Sequence, residues 1–136
     1  MEQKKLLDII YSFLLEQDLK NEFLNLEQNE ILHILKIIQK HRLESLFLKF
    51  LLINNLTEVI NADHLEYLKR ISAFQTIHSK RLINESLRIA KIFNENQIDY
   101  VFIKGISFKV NYYKENSYIR NTRDIDILIH NNDFNR

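Results

Sequence analysis

The sequence contains no cysteine, no proline and a single glycine among its 136 residues. Without cysteine there is no disulfide scaffold and no thiolate metal site, which is compatible with the cytoplasmic location that we expect. The formal net charge of +1 gives no general argument for binding nucleic acid or an anionic membrane, and we expect neither as a partner. No apolar run approaches the roughly 20 residues that a membrane span needs. The first 20 residues lack a long apolar core and a small-residue cleavage site, so no secretory signal is predicted.

What the chain does contain is the composition of an ordinary globular protein. Its 46% apolar and 27% charged residues argue against disorder. A chain of this length fits one domain, which would bury about two-thirds of the surface of the unfolded chain. The sequence shows no internal repeat and no low-complexity segment.

The first part of the chain, residues 1–96, has the periodicity of helices. Apolar residues recur three and four positions apart in segments 6–14, 31–38 and 43–51. A long fourth helix is predicted to begin near Asn61 or Asp63, either of which can cap it. Its apolar stripe has polar interruptions that allow one break. We expect Asn94 or Asn96 to end it in the left-handed conformation.

The pattern changes after residue 96. Residues 98–103 are rich in β-branched and aromatic side chains and predict a strand, which is followed by a break at Lys104 and Gly105. Residues 106–113 predict a helix that buries Phe108, Tyr112 and Val110. A loop at 114–117 leads to a second strand, so the order is strand, glycine turn, helix, loop, strand. The direction in which the strands pair stays open.

The second strand carries the most informative feature of the chain, Asp124-Ile125-Asp126, followed by three apolar residues. Alternation along a strand would place both carboxylates on one face, with Cα atoms roughly 7 Å apart. Two neighbouring carboxylates raise each other's pKa unless a cation neutralises them. Mg²⁺ suits this position because it prefers oxygen ligands. The pair therefore suggests metal-assisted phosphate chemistry.

The turn at Lys104 and Gly105 adds a candidate phosphate site. A strand that opens into a helix presents free backbone N–H groups and a positive dipole end. Gly105 permits either a close backbone approach or a positive φ, and Lys104 adds a charge. From Lys104 to Arg123 there are five basic residues and one acidic residue. The alternative is that the glycine only turns the chain, the lysines form a solvated helix face, and Asp124 pairs with Arg120 or Arg123.

Taken together, these segments resemble the uncharacterised nucleotidyltransferase family of the DNA polymerase β-like superfamily. The resemblance is carried by Val101-Phe102-Ile103-Lys104-Gly105, by Tyr112-Tyr113, and by Arg120-x-x-x-Asp124-Ile125-Asp126-Ile127-Leu128-Ile129. It is specific over residues 98–129 and weaker over most of the remaining chain.

The resemblance implies an α+β fold, in which an N-terminal helical region (1–96) precedes a partial nucleotidyltransferase core (97–136) that begins a polymerase β-like sheet. It implies that Asp124 and Asp126 hold Mg²⁺, two ions in a complete site, against the phosphates of a nucleoside triphosphate. An acceptor hydroxyl, on a small molecule or a protein, would attack the α-phosphate and release pyrophosphate.

Further residues gain expected roles from the same resemblance. Lys104 and Gly105 match the motif that cradles phosphates, and Ser107 is a looser candidate for the serine that the wider superfamily has there. Arg120 matches the family's arginine, which either orients the aspartate strand or contacts the substrate.

Two departures from the family pattern lead to an alternative. Arg123 stands where the family often has a small residue, and the superfamily's third carboxylate belongs to a later strand that would follow Arg136. We therefore expect the N-terminal part of a longer enzyme, a truncated gene product or a subunit that needs completion, with an incomplete active centre. The alternative function is a catalytically inactive nucleotidyltransferase-like module that acts in protein interaction or regulation.

The five histidines show no spacing typical of zinc sites, so zinc is not predicted. His130 follows the acidic strand, where exposure at a strand end is the simplest account. Tyr112 and Tyr113 are able to stack a base or to pack in a core.

Overall fold

The computed structural model describes residues 20–119 and 122–134. The helix predicted within residues 6–14 lies outside the described residues. The described helices are α1 Lys20–Leu24, α2 Gln28–His41, α3 Glu44–Ile53, α4 Ala62–Glu95 and α5 Lys104–Phe108. The strands are β1 Tyr100–Ile103 and β2 Asp126–Ile129. None of the described helices is long and apolar enough to cross a membrane.

The chain divides into two compact units, residues 1–72 and 73–136. Helix α4 runs through this division and contributes residues to both units. The boundary predicted between residues 96 and 97, which separates a helical region from one that contains strands, stays a prediction.

The first unit is built around an apolar core of helices α2 and α3. The predicted stripe of α2 is confirmed, since Ile31, Ile34 and Ile38 are buried on one face. A capping box begins this helix: the Glu27 side chain accepts from the Glu30 backbone N–H, and the Glu30 carboxylate accepts from the Glu27 N–H at 3.0 Å. The apolar stripe was sufficient to predict this helix, and the capping box fixes where it begins.

Aromatic rings fill the centre of this core. The ring centroids of Phe23 and Phe50 lie 5.4 Å apart, and those of Phe23 and Phe47 lie 5.8 Å apart. At its edge, burial raises the pKa of Tyr67 above its usual value, and the Glu44 carboxylate that accepts the tyrosine's hydrogen bond raises this pKa further. The neutral phenol therefore persists to a higher pH than in the unfolded chain.

Helix α4 is continuous over 34 residues, so the break that its polar interruptions allowed does not occur. The predicted cap is confirmed at Asn61, whose Oδ1 accepts from the backbone N–H of His64 at 2.9 Å. At the other end the prediction of Asn94 or Asn96 is wrong, because Gln97 takes the left-handed conformation, with φ 54°. The Ile98 N–H then donates to the Phe93 carbonyl at 2.9 Å and closes the helix end.

The second unit contains a sheet of two antiparallel strands, β1 and β2. Phe102 pairs with Ile127 and Ile103 pairs with Asp126. A mostly helical chain with this small sheet is α+β, which confirms the predicted fold class. The antiparallel direction resolves the question that the sequence left open.

The segment between the strands is helical where predicted, but a different face is buried. Helix α5 continues into a π-helical turn, Lys109–Tyr113. The expected burial of Phe108, Val110 and Tyr112 is wrong, because these side chains are 42%, 51% and 77% exposed. The face that packs inward carries Ile106 and Lys109 instead, each only 1% exposed.

Candidate functional site

Strand β2 begins at Asp126, so Asp124 lies two residues before the strand rather than within it. Asp124 is exposed, and Asp126 is partly buried at the end of the sheet. Among the residues that the structure describes, neither Asp124 nor Arg123 takes part in an ion pair. Arg120, the other cation considered as a partner for Asp124, lies outside the described residues. The ion pair at this end of the sheet is a different one.

The register of the sheet brings Lys104 to Asp126. Because Ile103 pairs with Asp126, Lys104, which follows Ile103 in the chain, lies beside the Asp126 carboxylate. The Lys104 Nζ lies 3.2 Å from the Asp126 Oδ1, and the two side chains are 69% and 29% exposed. Lys104 takes the left-handed conformation, with φ 54°, which is uncommon for a residue other than glycine. Two candidate site residues that are far apart in the sequence are thus in direct contact.

Gly105 has a role that depends on close approach rather than on a positive φ. Its φ is not positive, and its backbone packs against the buried Thr122. A Cβ placed on Gly105 would lie 2.2 Å from the Thr122 Cγ2 and 2.7 Å from its Oγ1. The glycine therefore allows the segment that leads into Asp124 to lie against the start of α5.

Helix α4 holds the same segment from the other side. The His78 Nε2 lies 3.1 Å from the Thr122 carbonyl oxygen, to which it donates. One residue later, the buried Ser79 Oγ donates to the Ser117 carbonyl at 3.1 Å. Consecutive residues of α4 thus contact Ser117 and Thr122.

Lys109 is the residue that sequence reasoning missed. The alternative interpretation of the sequence put the lysines on a solvated helix face, but Lys109 is only 1% exposed. Its Nζ donates to the Ser79 Oγ at 2.9 Å and to the Ser117 carbonyl. The one available signal was its position three residues after Ile106, which puts both side chains on one helix face. Lysine is rarely buried without partners, so its burial marks a specific contact.

Ser107 contacts a residue of the same helical segment and lines a separate groove. Its Oγ accepts from the Asn111 Nδ2 at 3.3 Å. Both residues line a mostly apolar groove of about 460 Å³, together with Ile83 and Leu87 of α4 and Phe102 of β1. Lys104 and the two aspartates do not line this groove. The structure therefore does not bring Ser107 together with the Lys104–Asp126 pair.

The donor set suits a hard divalent cation when further oxygen ligands are available. Within residues 20–119 and 122–134, no group of three histidine or acidic side chains is placed to hold a metal ion. Asp124 and Asp126 offer two carboxylates, and Asp126 already attracts the ammonium of Lys104. Mg²⁺ is typically bound by one or two carboxylates together with substrate phosphates and water. Both aspartates supply oxygen ligands of this kind.

The remaining sequence-predicted features occupy the surface. His130 is exposed at the end of β2, and its Nδ1 accepts from the Asn132 N–H at 3.3 Å. The ring of Tyr112 is 77% exposed, with its centroid 5.5 Å from that of Phe108. Among the described residues, the hydrogen bonds and ion pairs of Lys104 and Asp126 involve neither His130 nor Tyr112.

Comparison with known proteins gives one family. Residues 27–136 match the family described as "Uncharacterised nucleotidyltransferase". No curated protein and no solved structure matches the chain. The match includes both segments that form the Lys104–Asp126 contact.

Proposed function

The chain belongs to the uncharacterised nucleotidyltransferase family, and from this premise we propose that its second unit binds a magnesium–nucleoside triphosphate for transfer of the nucleoside monophosphate. Asp124 and Asp126 hold the metal, while Lys104 and the backbone at Gly105 contact the phosphates. The acceptor carries a hydroxyl group, on a small molecule or a protein.

The contact between Lys104 and Asp126 is the observation that supports this proposal most directly. It joins the lysine–glycine turn to the aspartate strand across 22 residues of sequence. A lysine placed beside a carboxylate neutralises it in the absence of a divalent ion. When a metal–nucleotide arrives, the same flexible ammonium is within reach of phosphate oxygens.

The transfer proposed for this site is an in-line displacement. The acceptor oxygen forms a bond to the α-phosphorus, the bond from this phosphorus to the bridging oxygen of the β-phosphate breaks, and pyrophosphate leaves with that electron pair. The hydroxyl proton passes to solvent or to a carboxylate. Bound Mg²⁺ supplies charge stabilisation to the attacking and leaving oxygens.

The residues of this chain contribute orientation and charge to that step. The carboxylates of Asp124 and Asp126 set where a cation is held, and Lys104 compensates charge on the phosphates. Gly105 keeps the turn next to Thr122 and so keeps the two halves of the site together. Arg120 is proposed, from its match to the family's arginine, as a further group that contacts the nucleotide.

Binding of Mn²⁺–ATP and Mg²⁺–ATP, measured by isothermal titration calorimetry, tests the proposal. We expect metal-dependent binding whose affinity falls at least about tenfold in Asp124→Asn and in Asp126→Asn, since even supporting groups around a metal contribute that much. Asp99→Asn is a matched control, because Asp99 is an exposed aspartate just before β1 in the same unit. It should bind like the wild type.

A folded wild-type protein that shows no metal-dependent binding of ATP, GTP, CTP or UTP would contradict the proposal. Circular dichroism of each variant verifies that the helices are retained. Where binding is found, incubation with α-³²P-labelled nucleotide and candidate acceptors tests transfer, and loss of labelling in Asp126→Asn ties it to this site.

A further inference from the structure

A buried lysine lies outside the set of residues that the proposed function uses. Lys109 is the first residue of the π-helical turn after α5 and is 1% exposed. Burying an ammonium group costs stability unless hydrogen bonds replace its water. The partners of Lys109 therefore show what its burial achieves.

Those partners join two separate parts of the second unit. The Lys109 Nζ donates to the Ser79 Oγ of α4 at 2.9 Å and to the backbone carbonyl of Ser117. Ser79 in turn lies 3.1 Å from the same carbonyl and 3.2 Å from the Ser117 Oγ. Ser79 and Ser117 are themselves buried, so these three residues form a buried polar cluster.

This cluster holds the beginning of the segment that carries the aspartates. Ser117 starts the stretch that leads to Thr122, where His78 and the backbone of Gly105 hold the chain again. Asp124 follows two residues later, and Asp126 begins β2. The chain before Asp124 is thus held at Ser117 and at Thr122 by adjacent residues of α4, and Lys109 adds its own hydrogen bond at Ser117.

We propose that Lys109 is a positioning residue, which sets the acidic segment 122–126 against Lys104 through its hydrogen bonds to Ser79 and Ser117. Its importance for nucleotide binding rests on the proposed function, whereas its hold on the segment does not. An apolar side chain of similar length would fill the space but would leave the Ser117 carbonyl without the ammonium donor.

Lys109→Met tests this role, because methionine keeps an unbranched side chain and removes the charge and its donors. Lys80→Met is the control, since Lys80 is an exposed lysine next to Ser79 on α4. Two quantities are measured on the full chain: amide hydrogen–deuterium exchange, and the Kd and electron paramagnetic resonance spectrum of bound Mn²⁺–ATP.

For Lys109→Met we expect amide exchange at least tenfold faster in residues 117–119 and 122–126, with unchanged exchange in α2 and α3. We also expect a Kd for Mn²⁺–ATP at least tenfold weaker and an altered Mn²⁺ spectrum, at a temperature where circular dichroism shows the variant to be folded. Lys80→Met should change neither quantity. A purely structural lysine would lower the melting temperature and leave the Kd of the folded protein unchanged.

Unchanged exchange in residues 117–119 and 122–126, or an equal acceleration throughout the chain, would overturn the proposal. So would a local acceleration that leaves a measurable Mn²⁺–ATP affinity unaltered. If the wild type binds no Mn²⁺–ATP, the proposed function fails, and exchange in residues 122–126 alone decides whether Lys109 positions the segment. If Lys109→Met does not fold, Ser79→Ala removes one of the partners of Lys109 and is measured in the same way, with the same local acceleration expected.

Discussion

Gly105→Ala is the substitution for which the structure gives the sharpest expectation. The added Cβ would lie 2.2 Å from the Thr122 Cγ2, 2.7 Å from its Oγ1 and 3.0 Å from its Cβ. Carbon atoms in good contact are about 3.5–4.0 Å apart, so Thr122 must move by more than about 1 Å. Thr122 is short, buried and held through its carbonyl by His78, which leaves little freedom for that movement.

The expected change in the free energy of unfolding is the sum of two opposing effects. Overpacking a filled site typically costs about 1–3 kcal/mol, and the upper end applies here because the clash involves the base of a short side chain. Alanine is more favourable than glycine within a helix by roughly 0.5–1 kcal/mol. We therefore expect Gly105→Ala to lower the free energy of unfolding by about 2 kcal/mol, measured by urea denaturation followed by circular dichroism at 222 nm.

A double-mutant cycle with Thr122→Ala attributes this loss to the contact. Thr122→Ala removes the atoms at 2.2 Å and 2.7 Å and leaves the Cβ at 3.0 Å. The double variant should therefore regain part of the stability, with a coupling free energy of about 1 kcal/mol or more between the two sites. A Gly105→Ala protein as stable as the wild type, or a coupling indistinguishable from zero, would refute the reasoning.

Three further substitutions test other contacts. Lys104→Met removes the cation that would compete for the proposed metal site; because exposed ion pairs contribute at most about 1 kcal/mol, binding of free Mn²⁺ should tighten by up to about fivefold, whereas binding of Mn²⁺–ATP should weaken. An equal effect of one sign on both ligands would contradict a role on the phosphates. Asn61→Ala removes the cap of α4 and should cost about 1 kcal/mol of stability, measured by urea denaturation; no change would mean that the cap contributes nothing. Because burial raises the pKa of Tyr67, its phenol proton is lost at a lower pH in the unfolded chain than in the folded protein. The contribution of Tyr67 to stability is therefore complete below about pH 10 and falls as the pH rises further. Tyr67→Phe should make that fall shallower, while Tyr112→Phe, at an exposed tyrosine, should not.

The helices of the first unit follow from sequence because their signals are local. The stripe of Ile31, Ile34 and Ile38 repeats at the helical period and is enough to predict α2, whereas the capping box of Glu27 and Glu30 at its start was found in the structure. Burial of this apolar face then stabilises a helix that its own sequence already favours. The same periodicity predicts α3, and of the two caps that the sequence offered for α4, Asn61 and Asp63, the structure shows Asn61.

Local sequence patterns gave wrong predictions at residues whose surroundings come from distant parts of the chain. Gln97, rather than an asparagine, takes the left-handed conformation at the end of α4, because the chain must turn there to enter β1. The inward face of α5 and of the π-helical turn after it carries Lys109, rather than Phe108 or Tyr112, because Ser79 and Ser117 supply hydrogen bonds that apolar periodicity does not predict.

The candidate site shows the same division between local and distant information. By itself, the sequence determined the order strand, turn, helix and strand, the family to which the segments are similar, and the aspartates and lysine as candidates. Only the tertiary structure decided that the strands are antiparallel, that Lys104 meets Asp126, and that Gly105 is needed for its contact with Thr122. Side-chain type and periodicity are properties of neighbouring residues, whereas strand register and burial depend on which distant segments pack together.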